Sequence, residues 1–115
     1  MILFTQESKY KILAGAKWQT RKLWTRPRAK EGSHHLIYLR PPMTGEQPFA
    51  KILVTEVRKQ KLKDMNPSET EAEGFDSQDQ FFEAFLAIHP RLKGCDLGEQ
   101  EVTVVAFQVA ESYDS

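Results

Sequence analysis

The pattern of apolar and polar positions predicts a series of short elements in the first half of the chain. Ile2 to Phe4 is a short apolar run that fits a strand. Thr5 can then cap a helix that extends to about Ala14, where Gly15 ends it. Breaks at Pro and Gly residues separate three further strands, which we place at Lys17 to Trp24, His34 to Leu39 and Phe49 to about Lys59.

The second half of the chain carries two helix starts. Ser68 and Glu71 fit a capping box for a short helical turn, which Gly74 ends. Ser77 and Gln80 form a second box before a longer helix. Five large apolar residues cover one wide face of that longer helix, so it must pack on a core; they are Phe81, Phe82, Phe85, Leu86 and Ile88.

The last apolar segment, Val102 to Val109, is apolar on both faces, which is typical of a central or barrel-closing strand. The order of elements is therefore strand, helix, three strands, short helix, helix, strand. Such a mixture in 115 residues predicts an α+β fold, a small mixed β-barrel with flanking helices. A chain of this length buries one core, so we expect a single domain over residues 1–115.

Composition excludes several classes of protein. With 40% hydrophobic and 28% charged residues, the chain is too apolar for disorder and too polar for a membrane protein. Met1 to Lys9 lacks the features of a secretory signal, so we expect a cytoplasmic protein. Cys95 stands alone, and His34 and His35 face opposite ways in a strand. We therefore expect no disulfide, no metal ion and no cofactor.

Charge is distributed very unevenly, although the net charge is zero. Residues 1–63 carry 14 basic and 4 acidic side chains, a net charge of +10. Residues 64–115 carry 2 basic and 12 acidic side chains, a net charge of −10. An asymmetry of this size indicates a face that binds a polyanion.

The basic residues are concentrated in one segment that also contains both tryptophans. Lys and Arg bind phosphates, and aromatic rings stack on unpaired bases, so the segment fits an RNA or single-strand groove. A solvated basic surface around two core tryptophans explains the same pattern about equally well. Between Glu7 and Glu31 the chain has no acidic residue and eight basic ones, namely Lys9, Lys11, Lys17, Arg21, Lys22, Arg26, Arg28 and Lys30.

Two short motifs, one in each half, resemble those of a known family. The first has the pattern Gly-x-Lys-x-x-Thr and the second the pattern Glu-Gly-Phe; they lie at Gly15, Lys17 and Thr20 and at Glu73, Gly74 and Phe75. In this order, with similar strands between them from Phe4 to Phe107, they resemble the ASCH domain, which is similar to the PUA domain in fold. The resemblance implies a small closed PUA-like barrel with flanking helices and a cleft where the two motifs meet.

The resemblance also implies two functions. ASCH domains have been proposed as RNA-binding modules in RNA metabolism. One small bacterial branch looks like amidohydrolases that remove the acyl group from N4-acylcytidine and related nucleosides. Carried over to this chain, that activity implies Thr20 as nucleophile, Lys17 as proton acceptor and Glu73 as proton donor. This branch usually has an arginine two residues after the threonine, where this chain has Lys22.

The chemistry of these three residues places conditions on the structure. A threonine hydroxyl needs a base beside it, and a lysine is a base only when burial or nearby cations lower its pKa. A glutamate beside that lysine tends to remain ionised, which conflicts with proton donation. Lys17 and Thr20 would point to opposite faces of a regular strand, so a shared site requires Lys17 to lie in the turn after Gly15 or in a bulge. Otherwise Lys17 and Glu73 form only a structural salt bridge.

From these features we expect RNA or single-stranded nucleic acid, or a modified nucleoside, as the partner, and no membrane. RNA binding is the favoured function, and nucleoside amidohydrolysis or RNA cleavage in the same cleft is the alternative. An acidic face over residues 64–101 also leaves a protein partner open. A basic open rim favours RNA, and a base-sized pocket favours a small substrate. The expected nucleic-acid contacts are Lys17, Trp18, Arg21, Lys22, Trp24, Arg26, Arg28 and Arg40.

Overall fold

Five strands and three helices form the part of the chain that the computed structural model describes, residues 2–113 without the side chain of Thr44. None of these helices is long and apolar enough to cross a membrane. The strands are β1 (Ile2–Leu3), β2 (Gln19–Lys22), β3 (His34–Tyr38), β4 (Ala50–Lys61) and β5 (Glu101–Ser112). The helices are α1 (Gln6–Leu13), α2 (Pro67–Ala72) and α3 (Gln78–Ile88).

The strands form one mixed sheet in the order β1-β3-β4-β5-β2. β1 pairs with β3 in parallel, and the other neighbours are antiparallel. The register of β4 against β5 shifts at two places, and such bulges bend a strand. The sheet curls so far that Lys22 Nζ on one edge strand donates to the Leu3 carbonyl on the other, at 2.8 Å. The result is a half-barrel.

This architecture confirms the predicted α+β class and the mixed barrel-like sheet with flanking helices. The closed barrel that the resemblance implied is not reached by main-chain pairing, because among residues 2–113 no ladder joins β1 to β2. Both edge strands are short, with two and four residues. Too few main-chain groups are therefore present to continue the ladder around the barrel.

The apolar strand β5 is central, as its sequence predicts. Its residues from Val102 to Phe107 are all buried, with β4 on one side and β2 on the other. Val102 and Val104 face α3 and join a core cluster with the aromatic rings of that helix. Phe107 belongs to a second cluster inside the curl of the sheet. The two faces of β5 thus serve two separate parts of the core.

The strand predicted at Lys17 to Trp24 is shorter in the structure, at Gln19–Lys22. Trp18 keeps only its carbonyl in the pairing with β5, because its main-chain N–H donates to the carbonyl of Ala72 in α2, at 2.9 Å. Lys17 therefore lies before the strand, in the turn that follows Gly15, whose φ is +78°. This is the placement that a site shared by Lys17 and Thr20 requires.

The start of α2 differs from the prediction. The capping box is formed by Asn66 and Glu69, and the box expected at Ser68 and Glu71 is wrong. Asn66 Oδ1 accepts from the N–H of Glu69 at 2.8 Å, and Glu69 Oε1 accepts from the N–H of Asn66 at 3.3 Å. Pro67 explains the shift, since proline fits the first position of a helix and has no N–H to lose there.

The revised cap can be checked by replacing the two competing residues. We expect Asn66→Ala to lower the free energy of unfolding by about 1 kcal/mol, because it removes the hydrogen bond to the N–H of Glu69. Ser68→Ala, two residues further along the chain and inside α2, is the matched control and should change stability little. Chemical denaturation of both variants measures the difference. An effect of Ser68→Ala as large as that of Asn66→Ala would contradict the assignment.

Candidate functional site

A pocket of about 320 Å³ lies along the unpaired edge of β2. One side is formed by β1 and the start of α1, and the other by the end of α2 and by α3. Its polar floor consists of buried or half-buried side chains from both sequence motifs and from β2. These floor residues are Lys17, Thr20, Arg21, Lys22 and Glu73.

The Glu73 carboxylate is the centre of the floor and is only 2% exposed. Lys17 Nζ donates to Glu73 Oε1 at 2.6 Å and to the Glu73 carbonyl at 3.1 Å. The Arg21 guanidinium donates to Glu73 Oε2 at 2.8 Å. Each carboxylate oxygen thus has its own cationic donor. Charge-assisted bonds of this kind are stronger than bonds between neutral groups, so they hold the carboxylate firmly in place.

Gly74 allows this arrangement because its backbone lies against Lys17. Its φ is +88°, a conformation that other residues rarely adopt. A Cβ there would come within 2.9 Å of Lys11 Cδ and 3.4 Å of Lys17 Cβ. Glycine therefore ends α2 and lets Glu73, the residue before it, reach the lysine. This is the physical basis of the Glu-Gly pair in the second motif.

The remaining donors of Arg21 are also engaged inside the protein. Its guanidinium binds Glu69 Oε2 at 2.6 Å, Gln60 Oε1 at 3.1 Å and Gln19 Oε1 at 3.0 Å. Burial alone would raise the pKa of Glu69, but hydrogen bonds from Arg58, from the Asn66 main chain and from Gln60 outweigh it and lower that pKa. Arg21, predicted as a phosphate contact, is thus placed in a network that ties β2 to α2 and β4.

Strand pairing determines which groups of β2 face the pocket. The N–H of Phe107 donates to the Trp18 carbonyl at 2.9 Å. In an antiparallel ladder every second residue bonds to the partner strand. Since Trp18 bonds to β5, the main-chain groups of Thr20 and Lys22 also point toward β5. The N–H and C=O of Arg21 then point to the unpaired edge, where the pocket lies. The edge therefore offers one donor and one acceptor beside Thr20.

Thr20 and Lys22 lie on the same face of β2, since they are two residues apart. Thr20 is 5% exposed and lines the pocket. The Lys22 amine donates to the Leu3 carbonyl and lies 4.8 Å from the centre of the Phe4 ring. Burial and the Lys17 charge lower the pKa of Lys22 to about 8, and Glu73 opposes them in part.

The walls of the pocket are mainly aromatic. Phe4 comes from the segment after β1, and Phe81 and Phe85 come from α3. His89, at the end of α3, also lines the pocket, with its ring 4.6 Å from that of Phe85. Burial, and then the charges of Arg91 and Lys22, lower the pKa of His89. Aromatic rings on two sides of the pocket suit a flat heterocyclic ligand.

The other predicted nucleic-acid contacts lie outside this pocket. Trp18 is 48% exposed and lines a separate groove on the far side of Lys17. Trp24 is half-buried and packs against the core inside the curled sheet. Arg26, Arg28 and Arg40 are exposed in loops after β2 and β3. The structure thus brings residues of both sequence motifs together with Lys22. The tryptophans and the loop arginines lie elsewhere.

Three residues of the site were not predicted from the sequence. Gln60 and Glu69 complete the Arg21 network, and His89 lines the pocket. The capping box at Asn66 was the available signal for Glu69, since it directs that side chain toward the start of its helix. The position of His89 depends on how α3 packs, for which a single sequence carries no local signal.

Comparison with known proteins shows the fold. No family model and no curated protein matches the sequence. Among solved structures, protein EF3133 of Enterococcus faecalis V583 superposes with a TM-score of 0.72 at 19% identity, over 97% of this chain and 76% of that one. An ASCH domain from Lactobacillus crispatus JV V101 gives 0.68 at 18%, over 91% and 71% of the two chains.

A variant of ZmASCH from Zymomonas mobilis gives a TM-score of 0.60 at 13% identity, over 93% of this chain and 67% of that one. Identities this low establish architecture and not activity. The chain therefore has the fold of a small ASCH-like domain. The resemblance predicted from the two motifs is confirmed at the level of the fold.

The buried ion pairs of Glu73 predict a large cost for its neutralisation. We expect Glu73→Gln to lower the free energy of unfolding by about 3–5 kcal/mol, because Lys17 is then left buried without a counter-charge and Arg21 keeps only Glu69. Glu99→Gln is the matched control: Glu99 also pairs with two cations, Lys61 and Lys63, but at the exposed surface. Water screens that cluster, so its loss should matter little. Equal losses in denaturation experiments would refute the central role of Glu73.

Proposed function

We propose that the pocket binds one acylated pyrimidine nucleoside and hydrolyses its amide, as an amidohydrolase for N4-acylcytidine-type nucleosides. The observation that carries the proposal is the Thr20 hydroxyl in the floor of a base-sized pocket, on the same strand face as an amine whose pKa is lowered to about 8. The resemblance of the two motifs to the amidohydrolase branch of ASCH domains supplies the substrate class.

The dimensions of the pocket support a small ligand. Its volume of about 320 Å³ is at the lower end of the roughly 300–1,000 Å³ typical of small-molecule sites. The rings of Phe81 and Phe85 offer stacking surfaces for a base. The unpaired N–H and C=O of Arg21 offer hydrogen bonds to its edge. One nucleobase therefore finds an aromatic wall for stacking and hydrogen-bonding groups for its edge.

The polar floor supports acyl transfer. Thr20 Oγ1 would attack the acyl carbon, and negative charge would develop on the carbonyl oxygen. Arg21 and Lys17 line the same pocket as Thr20, and their N–H and ammonium donors are suited to stabilise this charge. Glu73 fixes the lysine through two hydrogen bonds and prevents it from turning into solvent. Fixed donors of this kind need no reorganisation during the reaction.

The hydrogen bonds of Arg21 argue against a phosphate at the centre of the pocket. All of its described hydrogen bonds go to protein carboxylates and amides. Two of those partners, Glu69 and Glu73, are negatively charged and would repel a phosphate placed beside them. This favours a neutral substrate such as a nucleoside over a nucleic-acid backbone in the floor.

The nucleophile assignment is tested by release of cytidine from N4-acetylcytidine, followed by chromatography. We expect Thr20→Val to reduce turnover by a factor on the order of 10³ or more, because valine keeps the shape and removes the hydroxyl. Thr103→Val is the matched control: it is another buried threonine, on β5, whose hydroxyl has no hydrogen-bond partner within residues 2–113. It should retain full activity. Turnover by Thr20→Val at the wild-type rate would exclude Thr20.

RNA binding is a second candidate function, favoured by one separate observation. Arg26, Arg28 and Lys30 are exposed in the loop between β2 and β3, and none has a carboxylate partner within residues 2–113. In this function the basic loop binds phosphates and the pocket takes one splayed-out base.

The salt dependence of RNA binding tests this second candidate. We expect the double change Arg26→Gln and Arg28→Gln to weaken binding of a single-stranded RNA and to lower the slope of log affinity against log salt by about 1–2. The control is Lys61→Gln with Lys63→Gln, which removes two cations already paired with Glu99. Fluorescence anisotropy at several salt concentrations gives the slopes. Identical slopes for both double variants would exclude the loop as the RNA contact.

A further inference from the structure

The geometry points to Lys22, and not Lys17, as the group that takes the proton from the Thr20 hydroxyl. This inference rests on the proposed amidohydrolase function and deepens it, since the motif resemblance assigns that role to Lys17. Three observations carry it: the hydrogen bonds of Lys17, the position of Lys22 on β2 and the charges around Lys22.

Lys17 is poorly suited to accept a proton. Its amine donates to both a carboxylate oxygen and the carbonyl of Glu73, at 2.6 and 3.1 Å. The first of these bonds is an ion pair, in which the lysine balances the charge of a buried carboxylate. To act as a base it would have to lose its proton and leave the Glu73 charge with one cation fewer. Lys17 is better suited to donate hydrogen bonds than to accept a proton.

Lys22 lies where a base for Thr20 is needed. The two residues share one face of β2, with roughly 6.6 Å between their Cα atoms, and both line the pocket. Lys22 Nζ donates one hydrogen bond, to the Leu3 carbonyl, and contacts the face of Phe4. In the neutral amine this leaves the lone pair free for a proton, received directly or through one water molecule.

The charges that face Lys22 keep a neutral form accessible. Lys17, before β2, places a positive charge near it, and His89, at the end of α3, lines the same pocket as a ring whose own pKa is lowered by burial and by the charges of Arg91 and Lys22. The one carboxylate is Glu73, which is already shared by Lys17 and Arg21. The start of α1 contributes only the hydroxyls of Thr5 and Ser8 to this pocket. With its pKa lowered to about 8, roughly a tenth of Lys22 is neutral at pH 7.

The proton and bond changes balance with Lys22 in this role. The Thr20 hydroxyl proton moves to Lys22 Nζ as Oγ1 bonds to the acyl carbon. The amide C–N bond then breaks, and the new ammonium returns the proton to the departing exocyclic nitrogen, giving the free cytosine amine. Water hydrolyses the acyl ester on Thr20, releases the carboxylic acid and restores the hydroxyl. No oxidant, metal or second substrate is required.

The experiment is a pH profile of kcat/KM for N4-acetylcytidine, measured from pH 6 to 10 on the wild type and on Lys22→Arg. In the wild type we expect kcat/KM to rise with pH and level off above about 8, as the base loses its proton. Arginine keeps the charge and the length of the side chain but does not deprotonate. Lys22→Arg should therefore lose about 100-fold or more in kcat and lack the rise near pH 8.

Two further variants complete the experiment. Lys59→Arg is the matched control, because Lys59 also donates to a main-chain carbonyl but lies outside the pocket; it should keep the wild-type profile. Lys17→Arg should keep the rise near pH 8, whatever its rate. Thermal melting and binding of cytidine verify that Lys22→Arg is folded with an intact pocket.

The outcomes separate this inference from the function on which it rests. Wild-type turnover with an unchanged profile in Lys22→Arg would overturn the role of Lys22 and leave the amidohydrolase function intact. A rise near pH 8 that disappears in Lys17→Arg instead would return the role to Lys17. Absence of wild-type turnover on N4-acetylcytidine and other N4-acylcytidines would overturn the proposed function and, with it, this role of Lys22.

Discussion

The position of the Glu73 carboxylate is the constraint on which the site depends. It lies at the end of α2 and binds cations from both ends of a short edge segment, Lys17 before β2 and Arg21 within it. Removing a carboxylate from water is costly unless every oxygen is paired, and here each is. The pair of bonds thereby fixes α2 against the edge of the sheet. It also holds two of the three cations of the site in fixed positions.

The charge asymmetry of the sequence is largely resolved inside the fold. Cations of the basic half pair with carboxylates of the acidic half at the site and also at the surface, where Lys61 and Lys63 both contact Glu99. Those bonds lower the pKa of Glu99 to about 2. A net charge of zero therefore reflects two halves that bind each other. The cations left for an external polyanion are mainly those of the exposed loops, such as Arg26 and Arg28.

Much of the fold was predictable from the sequence because its signals are local. The continuous apolar run of β5, the apolar face of α3 and the turn at Gly15 each depend on a few neighbouring residues. The meeting of Lys17 with Glu73 was predictable only through the resemblance of two motifs. The different roles of Arg21 and Lys22 on β2 were not predictable, because they depend on the register of that strand. A one-residue shift exchanges the faces of a strand, and no local pattern fixes that shift for an edge strand with polar residues on both faces.

Register also explains why the adjacent cations Arg21 and Lys22 on β2 have different surroundings. Arg21 points to the side covered by α2, where Glu69 and Glu73 provide the planar, paired acceptors that a guanidinium binds well. Lys22 points to the other side, where one carbonyl and an aromatic ring leave its amine weakly compensated. Arg21, which is always charged, therefore stabilises the fold. The group whose charge is most easily lost is placed beside the hydroxyl, where a change of charge is useful.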